Sequence, residues 1–148
     1  MREILFKAKR IENGEWVEGC IVIDQSRLDR FKYRIQPIES GVLYAHPIDP
    51  DTLCQYTGLT AKNGKKIWEN DILVEKHKGI VTIKYRVVFD LEEGAWMLET
   101  KSGARYGIGA VNQRNYEVCG NFLIIQSCWR WSDERIRENR GRNRIHEK

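Results

Sequence analysis

A mainly β chain, centred on a small antiparallel barrel, is predicted by three features of the sequence. Two Asn-Gly dipeptides, Asn13-Gly14 and Asn63-Gly64, sit between apolar runs; this is a strong hairpin signal, because both residue types tolerate positive φ. From Thr52 onward, short β-rich runs alternate with glycine-bearing turns, at the spacing of roughly 8 to 12 residues that marks a barrel or sandwich rather than βα units. Pro37, Pro47 and Pro50 crowd one region, where each removes a backbone donor and fixes φ, which excludes a long helix there.

Residues 2–9 and 15–23 form the arms of a first hairpin around Glu12-Asn13-Gly14. On the second arm Val17, Gly19, Ile21 and Ile23 alternate with Trp16, Glu18, Cys20 and Val22, which separates an aliphatic face from a mixed one. Gly19 marks a bulge or a close packing point. Residues 24–52 begin polar, then Phe31-Lys-Tyr-Arg-Ile35 alternates like a strand, and the three prolines predict irregular connections. This stretch is a candidate for contact with a partner.

The second Asn-Gly turn joins Cys54–Gly58 to Lys66–Trp68. Beyond it Asp71–Lys76, Ile80–Phe89, Ala95–Glu99 and Arg105–Ile108 read as four strands, separated by Gly79, Glu92-Glu93-Gly94 and Lys101-Ser102-Gly103. Tyr116–Cys119 reads as the closing strand, and Gly120-Asn121 as the turn that ends it. An SH3-like barrel over about 52–125 fits this count and size. In the last residues Ser132 is an N-cap candidate with Asp133 and Glu134 in the first turn, so a short helix is expected before Gly141. The expected organisation is an N-terminal β segment, 1–51, packed on a barrel, 52–128, followed by a basic tail, 129–148.

A chain of 148 residues with 41% hydrophobic and 31% charged residues is in the range of one globular domain. The first ten residues carry only a three-residue apolar run between charges, so no secretory segment is read there. Uninterrupted apolar stretches such as Phe122–Ile125 are far short of the roughly 18 residues that cross a bilayer. A cytoplasmic protein without membrane association is therefore expected. Cys20, Cys54, Cys119 and Cys128 form no CxxC pair and have no histidine at ligand spacing, so they read as buried or half-buried thiols rather than a zinc site.

The net charge of +4 is uneven: residues 130–148 hold seven Arg or Lys against four Asp or Glu. The body is nearly neutral and lacks the broad basic excess of a dedicated nucleic-acid-binding domain. Attraction to phosphate is concentrated in Arg130, Arg135, Arg137, Arg140, Arg142 and Arg144, the candidate nucleic-acid contacts, although Asp133, Glu134, Glu138 and Glu147 dilute their field. Trp129 and Trp131, on one side of an extended segment, are candidate interface anchors.

The segment Gln55-Tyr-Thr-Gly-Leu-Thr-Ala-Lys-Asn-Gly-Lys-Lys-Ile-Trp-Glu-Asn-Asp-Ile72 resembles the signature of the YopX family of phage and prophage proteins, which runs approximately QYTGLxDxNGxxIxEGDI. Asn13-Gly-Glu-Trp-Val-Glu-Gly19 is similar to that family's N-terminal GxWVxG element, and Glu117-Val-Cys-Gly-Asn121 to its closing VIGN element. Two positions depart from the pattern: Ala61 replaces an acid and Asn70 a glycine. Asn tolerates the left-handed conformation, so the turn is preserved. The resemblance implies an SH3-like barrel in the second half and a phage or prophage origin, and it assigns no reaction.

The chemistry candidates are few. Glu69 and Asp71, with Asp49 and Asp51 upstream, are the acids on which a metal or acid-base site could draw, but acids at turns more often bond local backbone amides. His46, His77 and His146 have no Ser or Cys motif beside them. The G-x-G at Gly107–Gly109 is followed by no helix pattern, and Arg105 with Tyr106 reads as an edge-strand contact. Tyr56, Trp68, Tyr85, Phe89 and Trp96 fall within strands or their turns and are expected in the core. The function expected is therefore non-enzymatic, without cofactor or metal, acting by self-association or contact with a phage or host protein. A nucleic-acid-binding module using the barrel surface and the arginine tail is the alternative.

Overall fold

The computed structural model describes residues 1–39, 41, 43–109 and 116–124. The chain divides into two compact units, residues 1–69 and residues 70–148, each built on one antiparallel sheet. No helix among the described residues is long and apolar enough to cross a membrane.

The first unit contains β1 (Phe6–Lys9), β2 (Trp16–Ile23), β3 (Tyr33–Pro37), β4 (His46–Pro47), β5 (Cys54–Thr60) and β6 (Lys66–Trp68), in the spatial order β4-β3-β2-β1-β5-β6. The β1–β2 hairpin expected from Asn13-Gly14 is present. Gly14 has φ of 70°, its N–H donates to the Arg10 carbonyl at 3.0 Å, and Asn13 Oδ1 accepts from the Glu15 N–H at 2.9 Å. In the hairpin Phe6 faces Gly19 and Lys9 faces Trp16, so Phe6, Ala8 and Val17 share one side and Lys7, Lys9 and Trp16 the other. The core side gathers Ala8, Val17, Ile35 and Ile48, bordered by Phe6, Tyr33 and Leu53.

The prolines act as expected. Pro37 ends β3, Pro47 lies on the edge strand β4 where a missing N–H costs no ladder bond, and Pro50 opens a 3-10 turn, Pro50–Thr52. Gly19 is a close-packing point: a Cβ there would stand 1.9 Å from the Gln36 carbonyl oxygen. The second Asn-Gly turn also forms, with Gly64 at φ of 81° and the Lys65 N–H donating to Asn63 Oδ1 at 3.2 Å. Its strands, read from sequence as the start of the barrel, instead extend the first sheet: Phe6 pairs with Gln55 and Lys7 with Cys54, and Tyr56 pairs with Trp68.

The second unit contains β7 (Asp71–His77), β8 (Ile80–Asp90), β9 (Ala95–Glu99), β10 (Arg105–Gly107) and β11 (Tyr116–Asn121). Their order is β10-β9-β8-β7-β11, a four-strand meander whose last strand returns beside its first. Ile72, Leu73, Val87 and Leu98 are buried together with Tyr85 and Tyr116, whose rings meet edge to face at 5.7 Å. Among the described residues β10 and β11 remain the edges of an open sheet, so no closed barrel is found. The helix expected from Ser132 lies outside the described residues.

Candidate functional site

The residues with most chemistry in the second unit form a knot at the start of β7. Asn70 occupies the left-handed region at φ of 64°, where its N–H donates to the Val87 carbonyl at 2.8 Å. Its Oδ1 accepts from Arg86 Nε at 3.1 Å and from the guanidinium Nη2 at 2.6 Å. The same guanidinium lies 4.0 Å from the centroid of the Phe122 ring, and the Phe122 N–H donates to the Asn70 carbonyl at 2.7 Å. Next along the chain, Asp71 is only 2% exposed and accepts from Asn121 Nδ2 at 3.1 Å. Asn121 also receives the Leu123 N–H on its own Oδ1 at 3.1 Å. The elements around Asp71 and Asn121 thus meet in one hydrogen-bonded cluster. It gives Asp71 a fixed amide partner, as a structural acid requires.

The other acids are engaged locally. Glu69 Oε2 accepts from the Gln55 N–H at 3.2 Å. Asp49 caps the 3-10 turn through the Asp51 N–H at 3.2 Å and pairs with Arg30 at 2.8 Å. Among the described residues no group of three or more His, Cys, Asp or Glu is placed to hold a metal. His46 on β4 meets Tyr44 edge to face at 5.2 Å, whereas His77 is exposed at the end of β7 and His146 lies outside the described residues.

On the lysine-bearing side of the first sheet, Lys7 Nζ lies 5.1 Å from the Trp16 ring and 5.0 Å from the Trp68 ring. Lys9 Nζ lies 5.9 Å from Trp16 and Lys66 Nζ 5.2 Å from Tyr56. The alternation of Lys7 and Lys9 with Phe6 and Ala8, opposite Trp16, is the sequence signal for this face, and it is readable only once the β1–β2 register is known. Such contacts hold the cations over the rings by the ring quadrupole.

The β7–β8 hairpin groups exposed apolar side chains at its tip. Lys78 at φ of 50° and Gly79 at φ of 79° make its two-residue turn, and positive φ at both positions matches the strand twist. Ile80, Val81 and Ile83 are 71%, 42% and 43% exposed. Adjacent residues point to opposite faces, so the tip shows apolar side chains on both. Two adjacent apolar residues read in sequence as a strand buried on both faces, which is why this blade was not anticipated.

At the other end of β8, Phe89 is 42% exposed and packs on the half-buried Trp96 at 5.0 Å. This pair therefore lies outside the core expected for it, while Tyr56, Trp68 and Tyr85 are buried. Arg105 pairs with Asp90 at 2.6 Å and Glu99 at 2.9 Å, the edge-strand contact expected of it. The Glu93 N–H and the Arg105 side chain, joined by the Glu92 N–H, hold the Asp90 carboxyl below its ordinary range. Cys54 is buried, but Cys20, on the outer face of β2, and Cys119, at the β11 register shift between Val118 and Gly120, are exposed, which corrects their reading as buried or half-buried thiols. Trp129, Trp131 and the arginines from Arg130 to Arg144 lie outside the described residues.

Comparison with known proteins follows the same outline. The family model described as "YopX protein" matches residues 5–123. A solved structure, the crystal structure of protein EF1440 from Enterococcus faecalis, is similar with a TM-score of 0.53 and 20% identity, covering 87% of this chain and 99% of that one. That similarity concerns the fold alone. No curated protein matches the chain.

Proposed function

The chain belongs to the YopX family, and from that premise we propose that it is a phage or prophage accessory protein acting by protein contact, chiefly self-association, and not by catalysis. The observation that supports this reading is the β7–β8 hairpin, which carries Ile80, Val81 and Ile83 into solvent on both faces. Exposed apolar residues grouped at one projecting tip mark a contact surface more than scattered ones do. The acids that a reaction would draw on are tied down: Asp71 by Asn121, Asp49 by its turn and Arg30, Asp90 by Arg105. The phage provenance rests on the signature around Asn63-Gly64, and the setting in this reading is the cytoplasm of a bacterial host.

Nucleic-acid binding is the second reading, favoured by Lys7 and Lys9 beside Trp16 and by the arginine-rich tail. It ranks second because the two lysines already lie over that ring, where a stacked base would compete with them. We also retain the SH3-like barrel as the finer reading of the second unit. The return of β11 beside β7 after a four-strand meander supports it.

Size-exclusion chromatography with light scattering on the full chain, at low salt with and without mixed nucleic acid, tests the two readings. Protein contact predicts an oligomer indifferent to nucleic acid and weakened by Ile80→Ser with Val81→Ser. A nucleic-acid-dependent shift that disappears in high salt would put the second reading first. A monomer that binds no nucleic acid would defeat self-association and the second reading, and confine protein contact to partners other than a second copy.

A further inference from the structure

We propose that the basic tip of the β7–β8 hairpin docks on the acidic β8–β9 turn of a second copy of the chain, head to tail. This rests on the protein-contact reading and specifies the partner. At the tip, the exposed His77 and Lys78 adjoin the apolar Ile80 and Val81; Lys76 behind them is already paired with Glu117 at 2.5 Å, so Lys78 carries the tip's charge. Two such tips placed together would set Lys78 against Lys78, which disfavours a symmetric tip-to-tip contact. The complement is a surface both apolar and acidic.

The β8–β9 turn offers that surface. Leu91 is 88% exposed, Glu92 and Glu93 are exposed beside it, and Phe89 adds a half-open ring. The turn is already shaped, since Asp90 Oδ1 accepts the Glu92 and Glu93 N–H groups at 2.9 and 3.0 Å. Little ordering is then lost on docking. Asp90 is itself matched by Arg105 at 2.6 Å, so Glu92 and Glu93 carry the charge left to a partner.

Tip and turn stand at opposite ends of the eleven-residue strand β8, about 35 Å apart at the usual rise per residue. One chain cannot join its own two ends, so the contact is intermolecular. Because the two surfaces differ, it is also heterologous and can propagate into a ring or an open filament.

Sedimentation velocity on the full chain over a concentration series tests this, using His77→Glu with Lys78→Glu at the tip and Glu92→Lys with Glu93→Lys at the turn. The expected result is reversible association of the wild type. Each variant alone should associate at least about tenfold more weakly, because like charges then face each other across the contact. An equimolar mixture of the two variants should recover association, since each supplies the end the other lacks. Leu91→Ser, at a side chain outside the core, should weaken association without reversing charge.

A wild type that stays monomeric overturns the proposal and leaves the contact reading to partners other than itself. Association weakened by the tip variant alone, with the turn variant and Leu91→Ser silent, overturns the head-to-tail partner and keeps the hairpin as a contact. Association unmoved by every variant overturns both.

Discussion

Asn121 donates its side-chain amide to the buried carboxylate of Asp71 at 3.1 Å, joining the end of β11 to the start of β7 across fifty residues of chain. The bond links the two motif elements most distant from one another in the second unit. Asn121→Ala removes one donor from a carboxylate that is 2% exposed, and should cost roughly 1–3 kcal/mol. Urea unfolding of the full chain checks this, with faster hydrogen exchange expected along β11. A midpoint identical to wild type would show that Asp71 does not depend on this amide.

Asn70 unites two demands, a left-handed backbone and an acceptor for Arg86. Asn70→Gly keeps the first and loses the second, whereas Asn70→Ala loses both. The alanine variant should therefore be the less stable by about 1–2 kcal/mol, the cost of a Cβ in the left-handed region. Equal midpoints for the two in thermal unfolding would remove the backbone part of this account.

Gly19 has no room for a side chain, since a Cβ would fall 1.9 Å from one backbone atom of Gln36 and 2.7 Å from another. Gly19→Ala must push β3 from β2, at a cost of at least roughly 1–3 kcal/mol. Loss of amide protection from Cys20 through Ile23 and along β3, with the second unit unchanged, is the expected pattern in hydrogen exchange.

Asp90 sets a pH dependence whose sign follows from its partners. The Glu93 N–H, Arg105 and the Glu92 N–H favour its charged form and lower its pKa from the ordinary 3.8. The folded state then binds fewer protons than the unfolded one in this range. The resulting stability is present above pH 3.8 and is lost as pH falls through the depressed folded value. Carbon-detected NMR titration should place the Asp90 midpoint below 3.8, and Arg105→Gln should move it upward. A midpoint unmoved by Arg105→Gln would leave the backbone amides as the cause.

The strands and their turns were legible because they are encoded locally. Gly14, Gly64, Gly79, Gly94 and Gly103 all have positive φ at the turns where the sequence places them. The assignment of strands to sheets was less accessible. Cys54–Thr60 pairs with Phe6–Lys9, a choice made by partners far apart in sequence that no local pattern records. Exposure was hidden in the same way: Ile80 and Val81 have the composition of a strand buried on both faces, yet they extend beyond the core. Of the candidate sites, Glu69, Asp71 and Asp49 were visible as residues, but their partners, the Gln55 N–H, Asn121 and Arg30, come from other elements. Those partners hold the acids in place.

Every strand pairing among the described residues falls wholly before Asn70 or wholly after Glu69. The Gln55–Ile72 segment that carries the family signature crosses this line, with β5 and β6 on one side and Asp71 on the other. Genetic exchange between relatives with a breakpoint between Trp68 and Asp71 would accordingly preserve every ladder. A crossover near residue 52 would separate β1 from the strand that completes its edge. Hybrids joined there would inherit half a sheet from each parent, whereas hybrids joined after Glu69 would inherit whole ones.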